Sequence, residues 1–278
     1  MSRGRELNRT ESRWTRRELL RWCAVGVVAP CAAALRAPAP ALAAQRWFDE
    51  RTIGPLSVHA DYALQTHEQL LGDLGGLQSD LTRSLGVQEA REPVHLFLFQ
   101  KRTTYQAYLR EYFPRVPYRR ALYIKERGPG MVFAFHSTEL DVDLRHESTH
   151  ALLHASVANV PLWLDEGLAE YFEVTPEQRA SENPYLGTVR WHARFGQTPR
   201  LEDLEAITDL NRLGPTEYRH AWAWVHFLLH GPPEGRDELA RYLTDLDSDS
   251  GPARLSGRLR RRWPELDRDF ASHFKRWK

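Results

Sequence analysis

Apolar and polar positions alternate over Leu56–Ala60 and Val94–Gln100, the signature of strands with one face turned to a core. Between them, Tyr62–Leu85 carries leucines at three- and four-residue spacing, which predicts a helix, and Thr104–Phe113 reads as another. Arg120–Lys125 and Gly130–His136 are rich in aromatic and β-branched residues, and the polar Glu126–Pro129 between them predicts a hairpin. From Thr138 onward the periodicity is mainly helical, with Leu239, Tyr242, Leu243, Trp263, Leu266, Phe270 and Trp277 as the apolar anchors of closing helices. The fold class expected is α+β: a small mixed sheet with helices over residues 44–137, then a mainly helical lobe over 138–278. No internal repeat and no low-complexity tract interrupts this order.

The first 43 residues follow different rules. Thr15-Arg16-Arg17-Glu18-Leu19-Leu20 has the form of a twin-arginine export signal, followed by an apolar run from Trp22 to Leu35 and a small-residue site at Ala41-Leu42-Ala43. Pro30 breaks the run, which falls short of the roughly 20 residues a spanning helix needs, so cleavage after Ala43 is expected and no stable membrane span remains. Both cysteines, Cys23 and Cys31, lie in this segment, and the mature chain has to rely on its core rather than on disulfides.

Removing the signal also changes the charge. Eight of the 38 basic and three of the 37 acidic residues go with it, leaving 30 and 34, a net near −4. So mild an imbalance gives no ground for nucleic-acid binding, and the cluster Arg254, Arg258, Arg260, Arg261 and Arg262 reads as a solvated helix face. An exported protein, periplasmic or extracellular, is the expectation.

The candidate chemistry lies in Asp-Leu-Arg-His-Glu-Ser-Thr-His, where His146 and His150 stand four apart and so share one helix face. Both imidazoles can reach one metal while Glu147, about 100° round the helix, faces a metal-bound water. Leu144, Ala151, Leu152 and Ala155 form the opposite, packing face, and Thr138 with Asp141 resembles a capping box at the helix start. His154 continues the four-residue series but lies a full turn, about 5.4 Å, past His150, and reads as cleft lining or surface.

Catalytic zinc usually takes three protein ligands and leaves one position to water. A third histidine six residues past the second, after a glycine turn, is excluded because Ser156 and Leu153 hold those positions. A later carboxylate must complete the shell, and Asp165, Glu166 and Glu170 in Trp-Leu-Asp-Glu-Gly-Leu-Ala-Glu supply one, with Glu166 the choice.

His-Glu-Ser-Thr-His followed by Trp163-Leu164-Asp165-Glu166-Gly167-Leu168-Ala169 resembles the gluzincin clan of zinc metallopeptidases, and in spacing the small bacterial peptidase MA-like domains. The firm part of the resemblance runs from His146 to Glu173. It implies a Zn2+ site of His146, His150 and Glu166, with Glu147 as general base and then general acid in hydrolysis of a peptide or protein substrate. It further implies that Glu170, four places after the ligand glutamate, hydrogen-bonds a ligand histidine. Comparable families place an oxyanion-stabilising tyrosine at the start of a later helix, which puts Tyr218 first and His220 second, while Trp222, Val225 and Leu229 form that helix's docking stripe. Such families also keep an edge strand ahead of the motif, where Gly130–His136 would pair with extended substrate; a plain sheet strand is the alternative. The stretch from Ser181 to Thr198 reads as a surface loop with exposed aromatics, in which Tyr185, Arg190 and His192 are candidates for selecting substrate. An endopeptidase is preferred to an aminopeptidase; the alternative is a noncatalytic scaffold of the cell envelope that keeps the peptidase shape.

Overall fold

The computed structural model describes residues 47–126, 128–246 and 253–277; the segment expected to be an export signal and both cysteines lie outside them. Five strands form one mixed sheet: β1 (Asp49–Ile53), β2 (Leu56–Ala60), β3 (Val94–Phe99), β4 (Ala121–Ile124) and β5 (Met131–Phe135), in the order β1-β2-β3-β5-β4. β2, β3 and β5 run parallel to one another, whereas β1 and β4 pair antiparallel with β2 and β5. The helix α1 (Glu68–Leu85) makes the crossover from β2 to β3, and α2 (Arg102–Tyr112) leads from β3 to β4. The α+β class expected from the sequence is therefore the one observed.

Alternation along the strands divides the core in two. Val94, Leu96 and Leu98 of β3, Val132 and Ala134 of β5, and Leu56, Val58 and Ala60 of β2 face the main cluster, with the leucines of α1. The residues between them, Phe97, Phe99 and Phe133, face a second cluster closed by Trp47 and by Tyr105, Tyr108 and Leu109 of α2. Both faces are thus covered by apolar side chains, as parallel strands require.

The helix α3 (Leu140–Ser156) lies against the main face of the sheet, and α4 (Leu162–Phe172) packs on α3. The remaining helices are α5 (Leu186–Arg194), α6 (Leu201–Glu205), α7 (Pro215–His230), α8 (Pro233–Asp245), α9 (Leu255–Arg262) and α10 (Leu266–Arg276). Trp222, Trp224, Phe227, Phe270 and Phe274 join α7 to α10 in continuation of the same core. No helix among the described residues is long and apolar enough to cross a membrane.

Four expectations are corrected. α1 starts at Glu68, not Tyr62: Gln65–His67 before it is a separate 3-10 turn of helix, and the Leu64 N–H donates to Asp49 Oδ2 at 2.9 Å. The capping box at Thr138 does not form; α3 is led in by Ser137, whose hydroxyl accepts from the Glu139 N–H at 3.3 Å. The hairpin is present, but its second strand is interior, paired with β3 on its other side, so the edge of the sheet is β4 and not Gly130–His136. The stretch from Ser181 to Thr198 contains a helix, α5, that buries Leu186, Val189 and Ala193 and leaves Trp191 and Phe195 exposed.

Candidate metal centre

Thirteen of the seventeen residues of α3 are buried, His146, Glu147 and His150 among them, because the helix lies between the sheet and α4. α4 brings up Glu166 at no measurable exposure. Its approach depends on the next residue: a Cβ at Gly167 would sit 2.8 Å from the Ala221 carbonyl oxygen and 3.0 Å from Val225 Cγ2, so only glycine lets α4 and α7 meet here.

The Nε2 atoms of His146 and His150 are 3.2 Å apart, and each lies 3.8 Å from Glu166 Oε2. Three ligands about 2.0 to 2.2 Å from one ion subtend separations of this size. His150 Nδ1–H donates to Asp165 Oδ1 at 2.8 Å, and His146 Nδ1–H donates to Glu173 Oε2 at 3.2 Å. With both Nδ1 atoms so engaged, the two Nε2 lone pairs are left facing each other and a carboxylate. Neither Glu166 oxygen has a hydrogen-bond partner, an arrangement that is unfavourable until a cation stands between these three groups. Two imidazoles and one carboxylate are a donor set suited to zinc.

Charge follows burial. Burial pushes the Glu166 carboxyl well above the usual range, with Asp165, Glu170 and Glu147 adding in the same direction. Burial likewise raises Glu147, opposed by His146, by Arg119 and by the Tyr123 backbone N–H, which donates to its carboxylate from β4. His146 is lowered, first by burial and then by His150. Asp165 is held well below the carboxylate range, because its two histidine partners outweigh its burial. The second of these is His154, whose Nε2 lies 3.0 Å from Asp165 Oδ2 and whose ring stacks on Tyr123; it faces the acid from outside the His146–His150–Glu166 group.

The structure therefore brings His146, Glu147, His150 and Glu166 together. Glu170 shares a buried group with His146 and Glu173, all within 4.8 Å, and Glu173 Oε2 is hydrogen-bonded to the His146 ring. Asp165 and Glu173 are the two site residues whose roles the sequence did not single out. Glu173 repeats the Glu166–Glu170 series one further turn along the same helix face, and that spacing is the signal that was available. Tyr218 is 2% exposed near the start of α7, the helix packed on α4. His220 is half-buried, pushed down to about 4 by burial and then by Arg219, and belongs to none of the candidate ligand groups among the described residues.

A family model described as "Protein of unknown function (DUF1570)" matches residues 142–252, which include this site. No curated protein matches the chain. Among solved structures, the chain is similar to the M1 zinc metallopeptidase from Deinococcus radiodurans, with a TM-score of 0.44, and to a glutamate-to-alanine mutant of an M1 zinc metallopeptidase from that organism, with 0.46. Each match has 16% identity and covers 81% of this chain and 50% of that chain, so the present chain spans about half the length of those it resembles.

Proposed function

We propose that this chain is a zinc-dependent peptidase in which His146, His150 and Glu166 hold the ion and Glu147 moves the proton. The observation that carries this reading is the meeting, at 3.2 and 3.8 Å, of two imidazole nitrogens with a wholly buried carboxylate that has no donor. When bound, zinc supplies Lewis acidity, polarising a carbonyl oxygen and bringing the pKa of a bound water towards about 7. Glu147, its proton affinity raised by burial, takes a proton from water and passes it to the leaving amine. Asp165 and Glu173 hold the two imidazoles in the tautomer that leaves Nε2 for the ion. Tyr218 is the first choice for a donor to the developing oxyanion and His220 the second.

The substrate in this reading is a peptide or protein, lying extended beside β4, the edge strand that touches Glu147. Endopeptidase action is preferred to aminopeptidase action, since the carboxylates Asp165, Glu166, Glu170 and Glu173 already face the histidines. On the twin-arginine pattern of residues 15–20, we assign the protein to the periplasm or the exterior.

The test is cleavage of an unfolded protein and of a quenched-peptide library by the zinc-loaded parent and by Glu147→Gln. Equal zinc in both, with a loss of at least about 10² in turnover, supports the reading. Equal cleavage by both, or none by the loaded parent on any substrate, overturns it and leaves a noncatalytic scaffold.

A further inference from the structure

Two arginines, Arg119 and Arg120, precede β4, and they are used differently. Arg120 forms a paired ionic contact with Asp143, one turn ahead of Glu147 on α3, with Nη2 2.5 Å from Oδ1. This clamp ties the approach to β4 against the site helix, and β4 in turn offers its Tyr123 N–H to Glu147. Arg119 has no ion pair among the described residues, and its Nε is buried without a hydrogen-bond partner. Yet its charge acts on both Glu147 and Glu166, which sets it within electrostatic reach of the centre.

A buried Nε–H without an acceptor, on an arginine whose other N–H groups carry no hydrogen bond to the described residues, leaves this guanidinium free to take a ligand. Glu166 is taken by the ion in the reading above, and Glu147 by the Tyr123 amide and the proton it moves. The acceptor that suits a planar guanidinium best is a carboxylate, bound through two parallel N–H donors. The surroundings sharpen the point. Asp165, Glu170 and Glu173 keep the surroundings of the ion acidic, so an anionic substrate needs a cation there, and Arg119 is one whose charge reaches the centre.

We propose that Arg119 binds a carboxylate of the substrate, so that the site selects acidic peptides, through either an acidic side chain beside the scissile bond or the free C-terminus. This rests on the peptidase reading above.

The experiment compares two pairs of quenched peptides, one exchanging glutamate for glutamine beside the cleaved bond, the other a free C-terminus for its amide. Values of kcat/KM are measured for the zinc-loaded parent, Arg119→Gln and Arg119→Lys, and binding of the same peptides is measured by calorimetry on zinc-loaded Glu147→Gln with and without Arg119→Gln. The parent is expected to favour the acid of one pair by about tenfold or more, and that pair identifies which carboxylate is held. Arg119→Gln should collapse the ratio at least about tenfold, through KM more than kcat, and bring it to or below unity; Arg119→Lys should keep part of it. No acid preference in either pair, or an equal slowing of acid and amide, overturns the proposal. Cleavage without preference sinks Arg119 alone. An Arg119-dependent preference in binding, without cleavage, leaves Arg119 standing and sinks the peptidase reading. If Arg119→Gln does not fold, the parent's acid-to-amide ratio and Arg119→Lys decide the matter by the same criteria.

Discussion

The Asp165 carboxylate joins two histidines of α3 from the neighbouring helix, with Oδ1 2.8 Å from His150 Nδ1 and Oδ2 3.0 Å from His154 Nε2. One side chain thereby fixes the ring and tautomer of a candidate ligand. Loss of such a contact typically weakens metal binding 10- to 100-fold. Asp165→Asn should therefore raise the zinc dissociation constant by about that factor in competition with a chelator, and Glu173→Gln should act in the same direction through His146. His154→Gln should cost less, since His154 touches only the outer oxygen of Asp165. An unchanged zinc affinity in Asp165→Asn would show that the contact does not orient the ligand.

Gly167 sets how closely α4 approaches α7. Gly167→Ala places a methyl group 2.8 Å from the Ala221 carbonyl oxygen, a backbone atom that cannot turn aside. The helices must part, at a cost of about 1 to 3 kcal/mol, and Glu166 moves with them. Denaturant titration should show that loss and zinc titration a weaker site. A variant equal to the parent in both would contradict the packing described.

Glu166 connects the metal with stability. Its buried carboxyl is raised well above the usual range, so in the metal-free protein the folded state keeps a proton that the unfolded chain gives up near pH 4.5. Metal-free stability is therefore eroded as pH rises above that value, and Glu166→Gln relieves it. At pH 8, metal-free Glu166→Gln should melt several degrees above the metal-free parent and gain little from added zinc. The parent should be raised by zinc, with proton release seen as a buffer-dependent binding enthalpy. A less stable metal-free Glu166→Gln would refute this.

A second titration lies away from the site. His226 is fully buried, its Nδ1 3.0 Å from His273 Nε2 and its Nε2–H donating to the Ala180 carbonyl at 2.9 Å, and burial pushes it down to about 3. The ordinary value is 6.5, so below that pH the unfolded chain binds a proton that the folded chain refuses. Stability present above pH 6.5 is then lost at about 1.4 kcal/mol per pH unit on acidification towards pH 4, for this one group. Urea midpoints of the metal-free protein against pH should fall more steeply for the parent than for His226→Gln. Parallel curves would remove His226 from the account.

The parts of this molecule that could be read in advance are those whose signal is local. The strands β2 and β3 announce themselves by alternating apolar residues, β4 and β5 by aromatic and β-branched content, and His146, His150 and Glu166 by their spacing within two short phrases. β1 was missed because its inward positions, Asp49, Arg51 and Ile53, are only half-buried and mostly charged. Which strand lies at the edge was not legible either, since it depends on β5 pairing with β3 across α2 and β4. Asp165 and Glu173 were visible as acids, but which oxygen meets which ring depends on how α4 packs on α3. Arg119 carried no signal at all. Only the neighbouring Arg120–Asp143 clamp and the position of β4 distinguish it from a surface arginine.

The central claim is that two imidazoles and one distant carboxylate take up a single zinc ion. X-ray absorption at the zinc edge on the stoichiometrically loaded protein tests it most directly. The account predicts one zinc per chain with two nitrogen ligands and carboxylate oxygen at about 2.0 to 2.2 Å, and loss of that ion in Glu166→Ala. Zinc absent from the loaded parent, or retained with the same spectrum in Glu166→Ala, would contradict it.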